Sequence, residues 1–185
     1  METILLSGKE VSKNVRTNLK KRVVLLKERG IVPHLAAILI GDDPASQVYV
    51  RNKARAFEKQ NCTSQTIKLE ENINELKVLD LINELNNNNN VHGILVQLPL
   101  PKHLNSKKIL NSVSASKDVD GFHPKNLGCL LEGSPNFIPC TPYGVIEILK
   151  YYNIPTSGRH AVIIGRSNIV GKPMFALLAQ KFEIG

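Results

Sequence analysis

The sequence predicts an α/β fold, a three-layer, doubly wound parallel-sheet domain followed by the beginning of a second α/β domain. Short strand-like runs at 35–40, 63–69 and 91–98 are bounded by turn residues, as buried parallel strands are. Apolar residues at helical spacing separate these runs. A strand–helix–strand order with crossovers of this length requires right-handed connections, with helices on both faces of the sheet.

Length and composition agree with this fold class. The chain has 185 residues, of which 42% are hydrophobic and 22% charged, enough for one full domain and part of another. The net charge is +8, and the basic residues are spread along the chain. They are densest between Lys9 and Arg29, where apolar residues spaced three or four apart lie among them. That pattern predicts an amphipathic helix with a solvated basic face, or one that attracts a small anionic substrate. Only 5% of residues are aromatic, which disfavours nucleic-acid binding.

The elements of the first domain follow in order. Leu35–Ile40 is a strand ended by a Gly-Asp-Asp-Pro turn, and Ser46 is predicted to cap a helix that runs to about Gln60. Thr63–Leu69 is a second strand, followed by a helix from Asn74 to about Asn86. The low-complexity run 86–90 is expected in a surface connection. Val91–Leu98 is a third strand, stopped by two prolines.

The second half of the chain is less regular. Ser112–Pro142 is predicted to be an irregular loop, long enough to be functional. Tyr143–Tyr152 is a predicted helix and His160–Ile164 a buried strand. A Gly-rich turn and a helix over 168–180 complete the pattern. We therefore place the first domain at 1–142 and an incomplete second domain at 143–185.

Three cysteines without a CxxC motif predict neither a disulfide framework nor a zinc site. Asp118 begins a calcium-like run, but Cys129 stands where an EF-hand needs glutamate. We expect no metal. No segment has the length of a signal peptide or a membrane span, so we expect a soluble cytoplasmic protein.

Polar residues follow the predicted strands, where doubly wound sheets bind ligands. Tyr49 and Lys53 lie four apart on one helix face. A lysine amine carries protons where its surroundings favour the neutral form, although an exposed lysine over a half-buried tyrosine has the same spacing. Gln97 ends an apolar strand, so it either points into a cleft or is buried with hydrogen-bond partners.

The turn from Gly165 to Gly171 follows a predicted strand and opens a helix, as phosphate-binding turns do. It is not a GxGxxG, Walker A or GxSxG motif. Arg166 suits a 2′-phosphate, which favours NADP over NAD. The second domain is thus predicted to begin a Rossmann-like NADP-binding fold.

Five segments together resemble the bifunctional methylenetetrahydrofolate dehydrogenase/cyclohydrolase (FolD) family. They are GDDPASQVYVRNK from Gly41, GILVQLPLP from Gly93, KDVDGFHPKNLG from Lys117, PCTPYG from Pro139 and GRSNIVGKP from Gly165. The segments occur in one order across almost the whole chain, which makes the set far more specific than any single motif.

The resemblance implies oxidation of 5,10-methylenetetrahydrofolate with NADP, then hydrolysis of the methenyl product to 10-formyltetrahydrofolate, in a cytoplasmic homodimer. It implies that Lys53 carries the proton of the hydrolytic step and that Gln97 hydrogen-bonds to Lys53 and adjusts its reactivity. It also implies that Tyr49 packs on the folate and that Asp120 anchors the pterin. The implied substrate-binding residues are Tyr49, Val50, Lys53, Val96, Gln97, Leu98, Pro99 and Asp120, and the implied cofactor-binding residues are Gly165, Arg166, Ser167 and Ile169.

Two alternatives stay open at this point. The chain could be a folate-binding but inactive fragment, because the family's chain continues beyond Gln180 with the rest of the nucleotide-binding sheet. It could also be another NADP-dependent dehydrogenase with a similar substrate domain, acting on an amino acid or a shikimate-like acid.

Overall fold

The computed structural model describes residues 3–180. The last part of the predicted second domain, 181–185, lies outside these residues. The chain divides into two compact units. Unit 1 combines Met1–Asn18 with Asp120–Gly185, and unit 2 is Leu19–Val119. The domain boundary at residue 142 stays a prediction.

The elements alternate between helix and strand in the first half of the chain and are helical in the second. In chain order they are α1 (Gly8–Glu28), β1 (His34–Ile40), α2 (Pro44–Lys59), β2 (Thr63–Leu69), α3 (Glu75–Asn87), β3 (Gly93–Val96), α4 (Ser106–Ser112), α5 (Pro124–Glu132), α6 (Cys140–Tyr151) and α7 (Gly171–Ala179). No helix within residues 3–180 is both long and apolar enough to cross a membrane.

Unit 2 contains a parallel three-stranded sheet in the order β2-β1-β3. In the central strand, Leu35 pairs with Ser64 on one side and with Gly93 on the other. Helices α3 and α4 bury Ile82 and Ile109 against one face of the sheet. Helix α2 packs Val50 against the other face. These three layers confirm the predicted fold class.

Unit 1 is built around a second apolar cluster. Leu130 of α5, Ile146 of α6 and Leu177 of α7 are fully or almost fully buried together. The N-terminal residues join the same unit through Tyr152, whose hydroxyl accepts a hydrogen bond from the Ser7 N–H at 2.9 Å. Burial of these side chains stabilises unit 1 by roughly 1.5–3 kcal/mol for each fully buried large apolar residue.

Two predictions for the second half of the chain are wrong. Residues 160–164 form no strand, and Val162 and Ile164 are 75% and 99% exposed, because within residues 3–180 no neighbouring strand supplies a hydrogen-bonding partner. The predicted loop 112–142 contains helix α5, which has Pro124 at its first turn and Gly133, with φ +95°, at its C-cap. Proline and glycine at those two positions favour a helix rather than a loop.

Helix ends also differ from the predictions. Asp43, not Ser46, is the N-cap of α2, since its carboxylate accepts a hydrogen bond from the Ser46 N–H at 2.7 Å. Helix α3 extends to Asn87, so the asparagine run begins inside a helix. The third strand is shorter than predicted and ends at Val96. Helix α7 begins at Gly171 rather than at residue 168.

Candidate functional site

The carboxyl ends of the three strands of unit 2 form a cleft of about 310 Å³. Gly41 follows β1 with φ +83°, a conformation that favours glycine, and its N–H donates to the Leu69 carbonyl at 3.0 Å. The cleft is lined by Ile40, Gly41, Asp42, Asp43, Glu71, Pro99, Leu100 and Pro101. Of these residues only Pro99 was predicted from the sequence to bind substrate, although the Gly-Asp-Asp-Pro turn and the proline-rich exit from β3 both indicated this edge.

Helix α2 leaves this edge in a fixed direction because of its cap. The Asp43 carboxylate accepts from Ser46, and these hydrogen bonds lower the pKa of that carboxyl below its usual value. Pro44 stands at the start of the helix, where its missing N–H costs nothing. The first three turns of α2, which carry Tyr49 and Lys53, are therefore anchored directly after β1.

Lys53 lies on the inward-facing stripe of α2. The positions 46, 50, 53 and 57 share one helix face. Ser46 and Val50 are buried and Phe57 packs against the same core cluster as Val50. Lys53 itself is half-buried, and its Nζ lies 4.6 Å from the centroid of the Tyr49 ring. This geometry favours the site interpretation over a fully solvated lysine.

Gln97 lies on the same side of the sheet as α2. Its N–H donates to the Ile38 carbonyl at 2.9 Å, which continues the ladder one residue beyond β3. Side chains alternate along a strand, so Gln97 shares a face with Leu95, which packs with Val50 of α2, while Val96 packs on the α3 face. The Gln97 side-chain amide donates to the Leu98 carbonyl at 2.6 Å.

The structure therefore brings one group of the predicted substrate-binding residues to one edge and one face of unit 2. Tyr49 and Lys53 are in contact, and Val50 and Gln97 belong to the same face. Leu98 and Pro99 follow Gln97 at the same edge and are joined by a cis peptide bond. The roles of these residues stay predictions.

Asp120 belongs to unit 1 and is half-buried. The next residue, Gly121, has φ +70°, and a Cβ placed there would lie 2.8 Å from the Pro139 nitrogen and 2.9 Å from the Ile138 carbonyl carbon. Such distances are shorter than a Cβ tolerates, so only glycine fits. Gly121 thus fixes the backbone directly after Asp120.

The glycine-rich turn before α7 is also in unit 1. Gly165 has φ +137°, and a Cβ at Gly171 would overlap the Gly165 carbonyl, so this turn closes only with glycine at both positions. The Ser167 hydroxyl accepts hydrogen bonds from the N–H groups of Val170 at 3.1 Å and Gly171 at 3.4 Å. Arg166 and Ile169 are exposed at this turn. A tight, glycine-lined turn at a helix N-terminus fits a phosphate group.

Comparisons with known proteins decide the family. The model of the tetrahydrofolate dehydrogenase/cyclohydrolase catalytic domain matches residues 6–120, and that of the NAD(P)-binding domain matches residues 139–184. The chain belongs to the tetrahydrofolate dehydrogenase/cyclohydrolase family. The predicted family is confirmed, and so is the prediction of a catalytic domain followed by the start of a nucleotide-binding domain.

Relatives in this family are similar along nearly the whole chain. The bifunctional protein FolD of Ligilactobacillus salivarius is 52% identical over 178 residues, which are 96% of this chain and 62% of the relative. The FolD crystal structure from Campylobacter jejuni is 52% identical with a TM-score of 0.93, covering 95% of this chain and 62% of that one. The Trypanosoma brucei enzyme, complexed with NADP cofactor and inhibitor, is 33% identical with a TM-score of 0.91, covering 97% and 62%. The chain thus spans about 62% of the length of these relatives.

Proposed function

We propose that the chain carries the folate site of a bifunctional enzyme of one-carbon metabolism. In this proposal the enzyme oxidises 5,10-methylenetetrahydrofolate with NADP and hydrolyses the methenyl product to 10-formyltetrahydrofolate. The observation that carries the proposal is the half-buried Lys53 over the ring of Tyr49, on the inward face of the helix that follows β1. The family match over residues 6–120 includes both residues.

The hydrolytic step needs a group that takes a proton from water. In the proposed step the water oxygen bonds to the methenyl carbon while the Lys53 amine accepts one water proton. The bond from that carbon to N5 then breaks, N5 takes up a proton, and the formyl group stays on N10. One of the two water protons ends on N5 and the other is released. The Tyr49 ring stabilises the ammonium formed on Lys53, because an aromatic face attracts a cation.

Other residues bind and orient the folate in this proposal. Tyr49 is 54% exposed, so part of its ring remains available to an aromatic portion of the ligand. Gln97 holds Lys53 and the reacting water by hydrogen bonds, and the Asp120 carboxylate accepts from the amino and ring N–H groups of the pterin. Val50, Leu98 and Pro99 form the apolar surround, whereas Val96, whose side chain packs on the α3 face, would contribute its backbone.

The residues of the turn before α7 fit a dinucleotide phosphate. Gly165, Arg166, Ser167 and Ile169 would hold NADP there, and the guanidinium of Arg166 would pair with the 2′-phosphate. The nicotinamide supplies the hydride acceptor for the oxidative step. The T. brucei relative, whose crystal structure is a complex with NADP, supports this assignment. The family resemblance also supports a cytoplasmic homodimer as the working form.

Substitution of Lys53 tests the proposal. Lys53→Met keeps the apolar stem and removes the proton-accepting amine, so hydrolysis of 5,10-methenyltetrahydrofolate by the chain should fall by about 10²-fold or more, the usual contribution of a general base. Lys59→Met, at the exposed end of the same helix, is the matched control and should hydrolyse at the parent rate. The measurement is the loss of methenyl absorbance above the uncatalysed rate, with circular dichroism to verify folding. Hydrolysis by Lys53→Met within a few-fold of the parent would remove Lys53 from the mechanism.

A further inference from the structure

The C-terminal end of α3 holds a distant segment of unit 2, residues 112–119. The Asn86 side chain binds this segment through both of its polar atoms. Its Nδ2 donates to the Ser112 carbonyl at 2.8 Å, and its Oδ1 accepts from the Ser114 N–H at 2.8 Å. Two hydrogen bonds to backbone groups fix the position of that backbone more tightly than one.

Lys117 makes the reciprocal contact, from the segment back to the helix. Its Nζ donates to the carbonyls of Leu85 at 3.0 Å and Asn88 at 2.8 Å, at the C-terminal end of α3. Each of these carbonyls also accepts one backbone N–H, from Asn88 and Val91 respectively, so Lys117 occupies their second lone pair. Burial lowers the pKa of the Lys117 ammonium from its ordinary value, and the two carbonyls compensate in part for the lost water. Asn86 and Lys117 are called the clip below.

The segment is also held to the sheet. The Lys117 carbonyl accepts from the Ile94 N–H at 2.7 Å, and Asp118, which is 6% exposed, forms a parallel bridge with Ile94. The Val119 side chain packs against Gly93, where a Cβ would come within 2.5 Å of the Val119 Cγ1. Residues 112–119 are thus fixed at both α3 and β3.

This segment ends one peptide bond before Asp120. Consecutive Cα atoms across a trans peptide are about 3.8 Å apart, so the position of Val119 limits that of Asp120 closely. The backbone after Asp120 is fixed as well, by Gly121. A carboxylate that recognises a rigid heterocycle by paired hydrogen bonds needs such a fixed backbone, because those bonds weaken quickly with distance and angle.

We infer that Asn86 and Lys117 are positioning residues for the folate site, which fix the backbone that carries Asp120 and thereby set how tightly the pterin binds. This inference rests on the proposed function. Neither residue touches the ligand in this scheme, and both act through Asp120. The clip therefore affects folate affinity only while the Asp120 carboxylate is present.

A double-mutant cycle tests the inference. The variants are Asn86→Ala, Lys117→Met and Asp120→Ala, each alone, and each clip substitution combined with Asp120→Ala. The measurement is the dissociation constant of the non-reacting folate 5-formyltetrahydrofolate, by titration calorimetry on the 185-residue chain. Each clip substitution should weaken binding roughly tenfold in the parent, as expected for the loss of one or two well-formed hydrogen bonds. In the Asp120→Ala background the same substitutions should change affinity less than twofold.

Matched controls separate positioning from general destabilisation. The exposed Asn87 side chain bonds to Asn83 of its own helix, and Lys107 is exposed on α4. Asn87→Ala and Lys107→Met should therefore bind folate like the parent. Asn86→Asp keeps the acceptor for the Ser114 N–H, so it should fold and weaken binding less than Asn86→Ala.

The results distinguish a failure of the proposed function from a failure of the inference about Asn86 and Lys117. A parent chain that does not bind the folate overturns the proposed function, and the inference with it. A parent that binds, with clip variants that bind like the controls, overturns the inference alone. Clip effects of equal size with and without the Asp120 carboxylate would mean that Asn86 and Lys117 only stabilise the fold.

Discussion

The contact between Gly93 and Val119 allows a stability prediction to be worked out from the structure. A Cβ at Gly93 would lie 2.5 Å from Val119 Cγ1 and 3.4 Å from Leu35 Cδ1. Carbon atoms pack best at about 3.5–4.0 Å, so the added methyl group overlaps Val119 by roughly 1 Å. The overlap is not easily relieved, because Gly93 is buried within β3 and valine has few accessible rotamers.

Gly93→Ala should therefore destabilise the chain. Overpacking of a core typically costs about 1–3 kcal/mol. The loss of glycine's freedom in the unfolded chain offsets about 0.4–1 kcal/mol of that cost. The free energy of unfolding should fall by about 1–2 kcal/mol, measured by urea denaturation at constant m-value. Gly128→Ala is the control, since Gly128 lies inside α5 with open space at its Cβ. This substitution should raise the free energy of unfolding by about 0.5–1 kcal/mol.

Removal of the Val119 methyl groups tests whether their overlap with the added Cβ causes the destabilisation. Val119→Ala deletes Cγ1, so Gly93→Ala should cost at least about 1 kcal/mol less in the Val119→Ala background than in the parent. An equal cost in both backgrounds would refute the packing argument, because the loss would then come from the strand backbone itself. A Gly93→Ala variant as stable as the parent would refute it as well.

Two further predictions concern unit 2. Hydrogen bonds from the Lys108 ammonium and the Asn105 N–H, both 2.8 Å long, lower the pKa of Glu75. A lowered folded-state pKa stabilises the protein above the unfolded pKa of about 4.3, and this contribution is lost as the pH falls through the folded value. The difference in urea midpoint between the parent and Glu75→Gln should thus shrink on acidification, and a constant difference would contradict the assignment. Ile82→Ala, at a fully buried position, should cost about 2–5 kcal/mol, whereas Leu131→Ala, at a position 67% exposed, should cost under about 1 kcal/mol in the same urea assay.

Local patterns in the sequence predicted the elements of unit 2 well. The apolar run 35–40, the strand 63–69 and the helix beginning after Asn74 all occur within a residue or two of their predicted limits. Each of these elements has its own signal, because a buried strand, a cap or a helical stripe depends on neighbouring residues.

Predictions that depended on distant partners were less successful. The run 160–164 has strand-like residues, but strand formation requires a second strand, and within residues 3–180 none pairs with it. The asparagine run resembles a surface linker, yet Asn86 binds Ser112 and Ser114, which lie 26 and 28 residues away. Helix α5 was missed although Pro124 and Gly133 signalled its ends.

The candidate site likewise combines residues that a local sequence pattern predicts with residues that only the tertiary fold brings together. Spacing on one helix placed Tyr49 and Lys53 together, and the structure puts them in contact. The cleft residues Glu71 and Leu100 come from separate connections and meet only through the strand order β2-β1-β3. Strand order is a tertiary property, so no local pattern selects these residues.

The affinity of the chain for a folate, with and without the Asp120 carboxylate, tests the central claim most directly. The measurement is a calorimetric titration of 5-formyltetrahydrofolate into the parent and into Asp120→Ala. We expect saturable binding to the parent and at least roughly tenfold weaker binding to the variant, because buried pterin donors lose their charged acceptor. Equal dissociation constants for the two proteins, or no binding to a folded parent, would contradict the proposal that this chain carries a folate site anchored by Asp120.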